Sequence, residues 1–203
     1  MMAYFPFFMD IGHRRIVIAG GGKVAFRKAE KLIPFGPDIT VIAPEICAEL
    51  ADCGDVELIR RRFRDSDTDG SFAVIAATDD RELNAHISRL CRDKKIPVNS
   101  VDDPGNCTFF FPALVRRGNT TIGISTGGES PIFARYLREQ AEKLLDERLI
   151  KTGEILAGYR PVIMRMFDTE EKRKAASEAL LGLCAEGAEL PDGSEIMRLL
   201  ESL

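Results

Sequence analysis

The chain has 203 residues, 45% hydrophobic and 30% charged, with a formal net charge of −4. That length buries a substantial core and fits one domain of ordinary size with a smaller companion. The composition is that of a soluble globular protein, and no apolar run approaches the roughly 20 residues that span a bilayer. The acidic balance argues against a generic nucleic-acid coat while leaving room for a local basic pocket.

The apolar opening, Met1 to Met9, has no basic region before it and runs directly into folded-looking sequence, so it reads as part of the fold and not as a signal peptide. Arg14-Arg15-Ile16-Val17-Ile18-Ala19 is a β-branched apolar run ending at glycines, the pattern of a strand buried on both faces. From Lys23 to about Phe35, Val24, Ala25, Ala29, Leu32 and Ile33 recur at helical spacing until Pro34 and Pro37 stop them. Strands follow at 39–43, 56–59 and 72–77. Asp80 stands among the candidate N-caps of a helix through about Arg92, and 97–101 returns as a strand. This alternation predicts an α/β fold, a doubly wound parallel sheet with right-handed crossovers.

After Pro104 the pattern changes. Thr108-Phe109-Phe110-Phe111 and 120–125 read as neighbouring antiparallel strands, with a short turn region at Arg116-Arg117-Gly118-Asn119. From Ser130 the chain is helical in character, with one long amphipathic stretch to about Lys151 and further helices to Leu203. The expected organisation is a Rossmann domain over 1–112, a small α+β region over 113–150 and a helical region over 151–203.

Gly20-x-Gly22-x-x-Ala25 lies between a strand and a helix, the context that a dinucleotide fingerprint requires. Gly20 permits the tight turn, Gly22 lets the backbone approach a pyrophosphate, and Ala25 allows close helix-strand packing. The acid that commonly holds the ribose at the end of the second strand is missing, since Ala43 and Pro44 stand there. Glu45 is either its substitute or a solvated residue of a helix start. No arginine directly follows that strand, which favours NAD over NADP. Arg60-Arg61-Arg62 reads more readily as a solvated run than as a phosphate clamp.

Cys47, Cys53, Cys91, Cys107 and Cys184 are odd in number and scattered, as expected of reduced thiols in a cytoplasm. His13 and His86 sit in no metal-ligand pattern, so no metal site is expected.

Six motifs in order carry a resemblance: Phe5-Pro6-Phe7-Phe8, Gly20-Gly21-Gly22-Lys23-Val24-Ala25-Phe26-Arg27-Lys28, Ala76-Ala77-Thr78-Asp79-Asp80, Asn99-Ser100-Val101-Asp102-Asp103-Pro104, Phe111-Pro112-Ala113, and Ser125-Thr126-Gly127-Gly128-Glu129-Ser130-Pro131. Over about residues 4 to 140 the chain resembles the precorrin-2 dehydrogenase and sirohydrochlorin ferrochelatase family, stand-alone relatives of the N-terminal half of siroheme synthase. The helical tail is only loosely alike and is too short for the methyltransferase half of the fused enzyme.

The resemblance implies NAD-dependent oxidation of precorrin-2 to sirohydrochlorin, followed in some members by insertion of a ferrous or cobaltous ion, in a cytoplasmic homodimer with no nucleic-acid or membrane partner. It implies cofactor contacts at Gly20, Gly21, Gly22, Lys23, Val24, Pro44, Glu45, Thr78 and Asp79. The oxidation needs a base beside the nicotinamide, and Asp102 is the candidate; its other reading is a cap of the Asp-Asp-Pro turn. A polycarboxylate substrate calls for cations, for which Arg116, Arg117, Arg135 and Arg138 are candidates, although each also suits an exposed turn or helix face. The Thr126-Gly127-Gly128 loop before a helix offers amides to a carboxylate. The reading of another class is a regulatory domain that senses NAD without consuming it.

Overall fold

A computed structural model of the chain describes residues 5–101, 103–186 and 189–203. These fall into two compact units that meet in sequence between Phe111 and Pro112.

The first unit is a five-stranded parallel sheet of β1 (Arg15–Ala19), β2 (Asp38–Ile42), β3 (Val56–Ile59), β4 (Ala73–Ala76) and β5 (Val98–Ser100), in the order β3-β2-β1-β4-β5. Helix α1 (Lys23–Leu32) joins β1 to β2, the short α2 (Ala48–Ala51) precedes β3, and α3 (Arg81–Asp93) joins β4 to β5. β1 is central, registered Ile16↔Ile39 on one side and Ile16↔Ala73 on the other.

Its apolar run has a simple cause. Ile16 and Ile18 pack with Ala25 and Ala29 of α1, while Val17 and Ala19 pack with Ile87 and Cys91 of α3. Both faces of the strand are covered, so alternation with polar residues is impossible. Ala25 and Ala29 are fully buried, and their small side chains bring α1 close to the sheet. The helix ends at Leu32, before the end predicted for it. A single 3-10 turn containing Pro34 follows, closed by Gly36 at φ +70°.

The arginine run after β3 has a structural task. Arg61 donates two bonds to Asp67, at 2.7 and 2.6 Å, and the Arg64 amide adds a third at 2.7 Å, anchoring the loop before β4. Arg60 and Arg62 are exposed, as expected for a solvated run. His86, a half-buried helix residue, pairs with Asp65 at 2.8 Å.

The second unit opens with an antiparallel hairpin, β6 (Ala113–Arg117) and β7 (Thr120–Ile124), registered from Ala113↔Ile124 to Arg117↔Thr120. Four helices follow: α4 (Pro131–Leu144), α5 (Glu147–Met166), α6 (Glu170–Glu186) and α7 (Gly193–Glu201). Ile163, Phe167, Ala176, Leu180, Ile196 and Leu200 form the core of the last three. Among the described residues, no helix is long and apolar enough to cross a membrane.

Two sequence expectations are corrected here. Thr108–Phe111 is not the partner of β7; β6 is, and Arg116 and Arg117 belong to that strand, leaving Gly118-Asn119 as the turn with Gly118 at φ +55°. Thr108–Phe111 is held by the first unit instead. The Thr108 amide donates to the Val98 carbonyl at 2.7 Å, Asn99 donates to the Phe109 carbonyl at 3.0 Å, and Phe109 and Phe111 pack on the α1-side core. The long helix predicted from Ser130 is two helices, because Leu145 is buried at the break and the Asp146 carboxylate caps α5 through the Leu149 amide at 2.7 Å.

Arg61 first, and the Arg64 amide with it, hold the Asp67 carboxyl below the usual carboxylate range against the opposing effect of burial. A folded-state value below the unfolded value of about 3.9 means that the pairing stabilises fully above that value and is lost as pH falls through the folded one. Asp67→Ala is expected to cost about 2 kcal/mol near neutral pH. Urea titrations should show this gap from the wild type closing as pH falls below the unfolded value of about 3.9.

Candidate functional site

The carboxyl edge of the parallel sheet is where an open α/β fold binds ligands, and the crevice lies where strand order reverses, between β1 and β4. The glycine turn sits there, and its three residues differ in what they touch. Gly20 donates to the Ile42 carbonyl at 2.9 Å and has φ +120°; a Cβ on it would collide with the Ala77 carbonyl. Gly21 is buried under the segment after β2. A Cβ there would collide with the Glu45 carbonyl, and the Gly21 carbonyl accepts from the Cys47 amide at 2.8 Å. Gly22 is exposed, and a Cβ on it would meet nothing within 4 Å.

Protein packing therefore dictates Gly20 and Gly21, whereas no atom of the described residues dictates Gly22. The open backbone at Gly22 fits the close approach of a pyrophosphate. Gly22 is also the N-cap of α1, with no side-chain cap and no acid in the first turn, so the first-turn amides are left for an anion. These features fit a dinucleotide phosphate. The packing role of Gly21 was invisible to the fingerprint, which leaves its second position open; a third consecutive glycine was the available signal.

The other predicted cofactor residues are distributed around the turn. Lys23 is exposed, with its ammonium 4.0 Å from Glu49, and Val24 is 40% exposed at the helix start. Pro44 and Glu45 are exposed beyond β2, with the Glu45 backbone lying over Gly21. Thr78 is half-buried and Asp79 exposed beyond β4. Asp80 caps α3, accepting from the Glu82 and Leu83 amides at 3.0 Å each. The sequence reading passed over Asn84, whose side chain bonds the amide, hydroxyl and carbonyl of Thr78. An asparagine four residues beyond an N-cap, where it has no helical advantage, was the signal.

At the end of β5, the Val101 amide donates to the Ala76 carbonyl at 2.9 Å. Lys28 of α1 donates to Asn99 Oδ1 at 3.1 Å and lies 4.1 Å over the Phe111 ring. Cys107 Sγ donates to the Ser100 carbonyl at 3.1 Å and accepts from the Ser100 amide at 3.2 Å, and burial pushes its thiol pKa up. Asp102, the residue read as the base, lies outside the described residues.

In the second unit Arg116 and Arg117 are exposed on β6. Arg135 pairs with Glu139 at 2.9 Å and Arg138 with Glu142 at 2.8 Å, each one helical turn along α4. In the 125–130 loop, Gly127 and Gly128 have φ +65° and +85°. The Gly127 amide donates to Ser125 Oγ, the Glu129 amide to the Thr126 carbonyl, and the Ser130 amide to Thr126 Oγ1. Of the Thr126-Gly127-Gly128 amides expected to face a carboxylate, that of Gly127 is thus already engaged within the loop.

Residues 7–113 match the family model described as "Putative NAD(P)-binding". The chain is 40% identical over 185 residues to a siroheme synthase of Thioalkalivibrio sulfidiphilus, covering 89% of the chain and 38% of that protein. It is 34% identical over 206 residues to a siroheme synthase of Pseudomonas entomophila, covering 100% and 44%. It spans less than half the length of these curated relatives. A solved structure titled "SirC, precorrin-2 dehydrogenase" shares the fold, with a TM-score of 0.75 at 22% identity over 98% of both chains.

The unequal glycines give a test. Gly21→Ala should destabilise the protein by about 2 kcal/mol or more, because backbone must move to admit the methyl group. Gly22→Ala should melt within a few degrees of the wild type yet bind NAD+ about tenfold more weakly. Thermal melts and calorimetric titration check both.

Proposed function

The chain belongs to the NAD(P)-binding family whose model it matches, and from that premise we propose that it is a precorrin-2 dehydrogenase that oxidises precorrin-2 to sirohydrochlorin with NAD+ in siroheme synthesis. The observation that carries this reading is the alignment of essentially the whole chain with siroheme synthases, whose shared segment holds the glycine turn. NAD is preferred over NADP because no arginine directly follows β2.

Bound NAD+ supplies the hydride acceptor. The chain's own residues do the rest. The turn at Gly20, Gly21 and Gly22, with the amides of Lys23 and Val24, holds the pyrophosphate. Pro44 and Glu45 border the adenosine ribose, and Thr78 with Asp79 borders the half beyond the switch point. Asp102 takes the proton that must leave as the hydride departs, so each turnover yields sirohydrochlorin, NADH and one proton. Arg116, Arg117 and Arg135, with Thr126, Gly127 and Gly128, hold substrate carboxylates. The ion pair of Arg135 with Glu139 would then have to open.

Residues 113–150 are proposed as the dimerisation and substrate region and 151–203 as a helical region. Ile132, Phe133 and Tyr136 on α4 are 84%, 51% and 53% exposed, an apolar face that supports self-association into a homodimer. The five cysteines are free thiols, in keeping with a cytoplasmic location.

Mixing the protein with precorrin-2 and NAD+ should produce NADH absorbance. Asp102→Ala should abolish it while leaving NAD+ affinity within about twofold. NAD+ binding without turnover by the wild type would favour the sensing role and remove Asp102 from a catalytic one. Sirohydrochlorin with ferrous or cobaltous ion assays the chelation step, in which the same carboxylate would accept the displaced pyrrole protons. Sedimentation should show a dimer that dissociates when Phe133 is replaced by Asp.

A further inference from the structure

Asn84 is 5% exposed in the first turn of α3, and its amide group is spent on one residue. Oδ1 accepts from the Thr78 amide at 3.1 Å and from the Thr78 hydroxyl at 2.7 Å, and Nδ2 donates to the Thr78 carbonyl at 2.9 Å. Helix α3 requires none of these bonds. Asparagine is a poor helix former, and Asp80 already caps the helix through the Glu82 and Leu83 amides. The bonds therefore serve the loop beyond β4.

That loop is one wall of the glycine turn. A Cβ at Gly20 would collide with the Ala77 carbonyl and stand 3.0 Å from the Thr78 nitrogen, so turn and loop already pack backbone against backbone. Where Thr78 stands fixes how wide the crevice opens on the β4 side. The reversal of strand order lies between β1 and β4, and the ribose of the adenosine half is met at the end of β2, which leaves the β4 side to the nicotinamide half.

We infer that Asn84 is a positioning residue, holding the Thr78 loop where it must stand to seat the nicotinamide half of the dinucleotide. The inference rests on the reading that the dinucleotide lies over the glycine turn. Asn84 acts through Thr78 and touches no ligand itself. Removing its amide group releases the loop and leaves the adenosine side of the turn, built from Gly21 and the segment after β2, as it was.

Calorimetric titration of the wild type, Asn84→Ala and Asn84→Asp with NAD+ and separately with ADP tests this, with thermal melts confirming the fold. Asn84→Ala is expected to weaken NAD+ about tenfold while ADP changes by less than about twofold. Asn84→Asp, which keeps an oxygen for the Thr78 amide and hydroxyl and loses only the donor to the Thr78 carbonyl, should shift NAD+ in the same direction by less. If Asn84→Ala does not fold, the NAD+ and ADP affinities of Asn84→Asp decide. Equal losses of NAD+ and ADP, or an unchanged NAD+ affinity, would overturn the inference while leaving the dinucleotide reading intact. A wild type that binds neither ligand would overturn both.

Discussion

Three backbone segments meet at the carboxyl end of β1 with no room between them for a side chain, and this close approach organises the first unit. The Ala77 carbonyl lies against Gly20 and the Glu45 carbonyl against Gly21. Each contact excludes a Cβ, so strands β1, β2 and β4 deliver their outgoing loops to a single point. The buried apolar strands set the level at which those loops leave the sheet, and the two fully buried alanines of α1 bring the helix down to the same point. Packing, backbone conformation and ligand approach are thus one constraint seen at three neighbouring residues.

The first unit was largely legible in the sequence because its physics is periodic. A strand covered on both faces must be apolar throughout, and a helix resting on a sheet must repeat its small apolar residues; both patterns are visible without coordinates. The chain beyond β5 was less legible. Thr108–Phe111 has the composition of a strand, yet it is recruited by Val98, by Asn99 and by the core under α1, partners far from it in the pattern. Asp146 looks like any solvated acid in a helical stretch, and only the buried Leu145 beside it shows that the chain turns there.

The candidate site divides in the same way. Glycines announce themselves, and a strand-turn-helix context gave Gly20 and Gly22 their roles. The work of Gly21 and Asn84 could not be read, because each depends on a backbone atom brought alongside by the fold: the Glu45 carbonyl for one and the Thr78 peptide groups for the other. The Arg60–Arg62 run shows the reverse. Its charge attracts a phosphate-binding reading, while Asp67 occupies the middle guanidinium through two bonds. The cations that the sequence offers for the substrate carry a similar ambiguity, since Arg135 and Arg138 already have glutamate partners on their own helix.

The bond from the Cys47 amide to the Gly21 carbonyl has a thermodynamic consequence. It ties the segment after β2 to the glycine turn with protein atoms alone, as Asn84 ties the loop after β4, so the cradle is assembled before any ligand arrives. A ligand entering a preformed cradle pays little to order the chain, and more of its contact energy survives as affinity. Dinucleotide association should then behave as docking onto a rigid surface. Its heat-capacity change should be that of covering the existing apolar surface, without the larger contribution that accompanies folding of a loop.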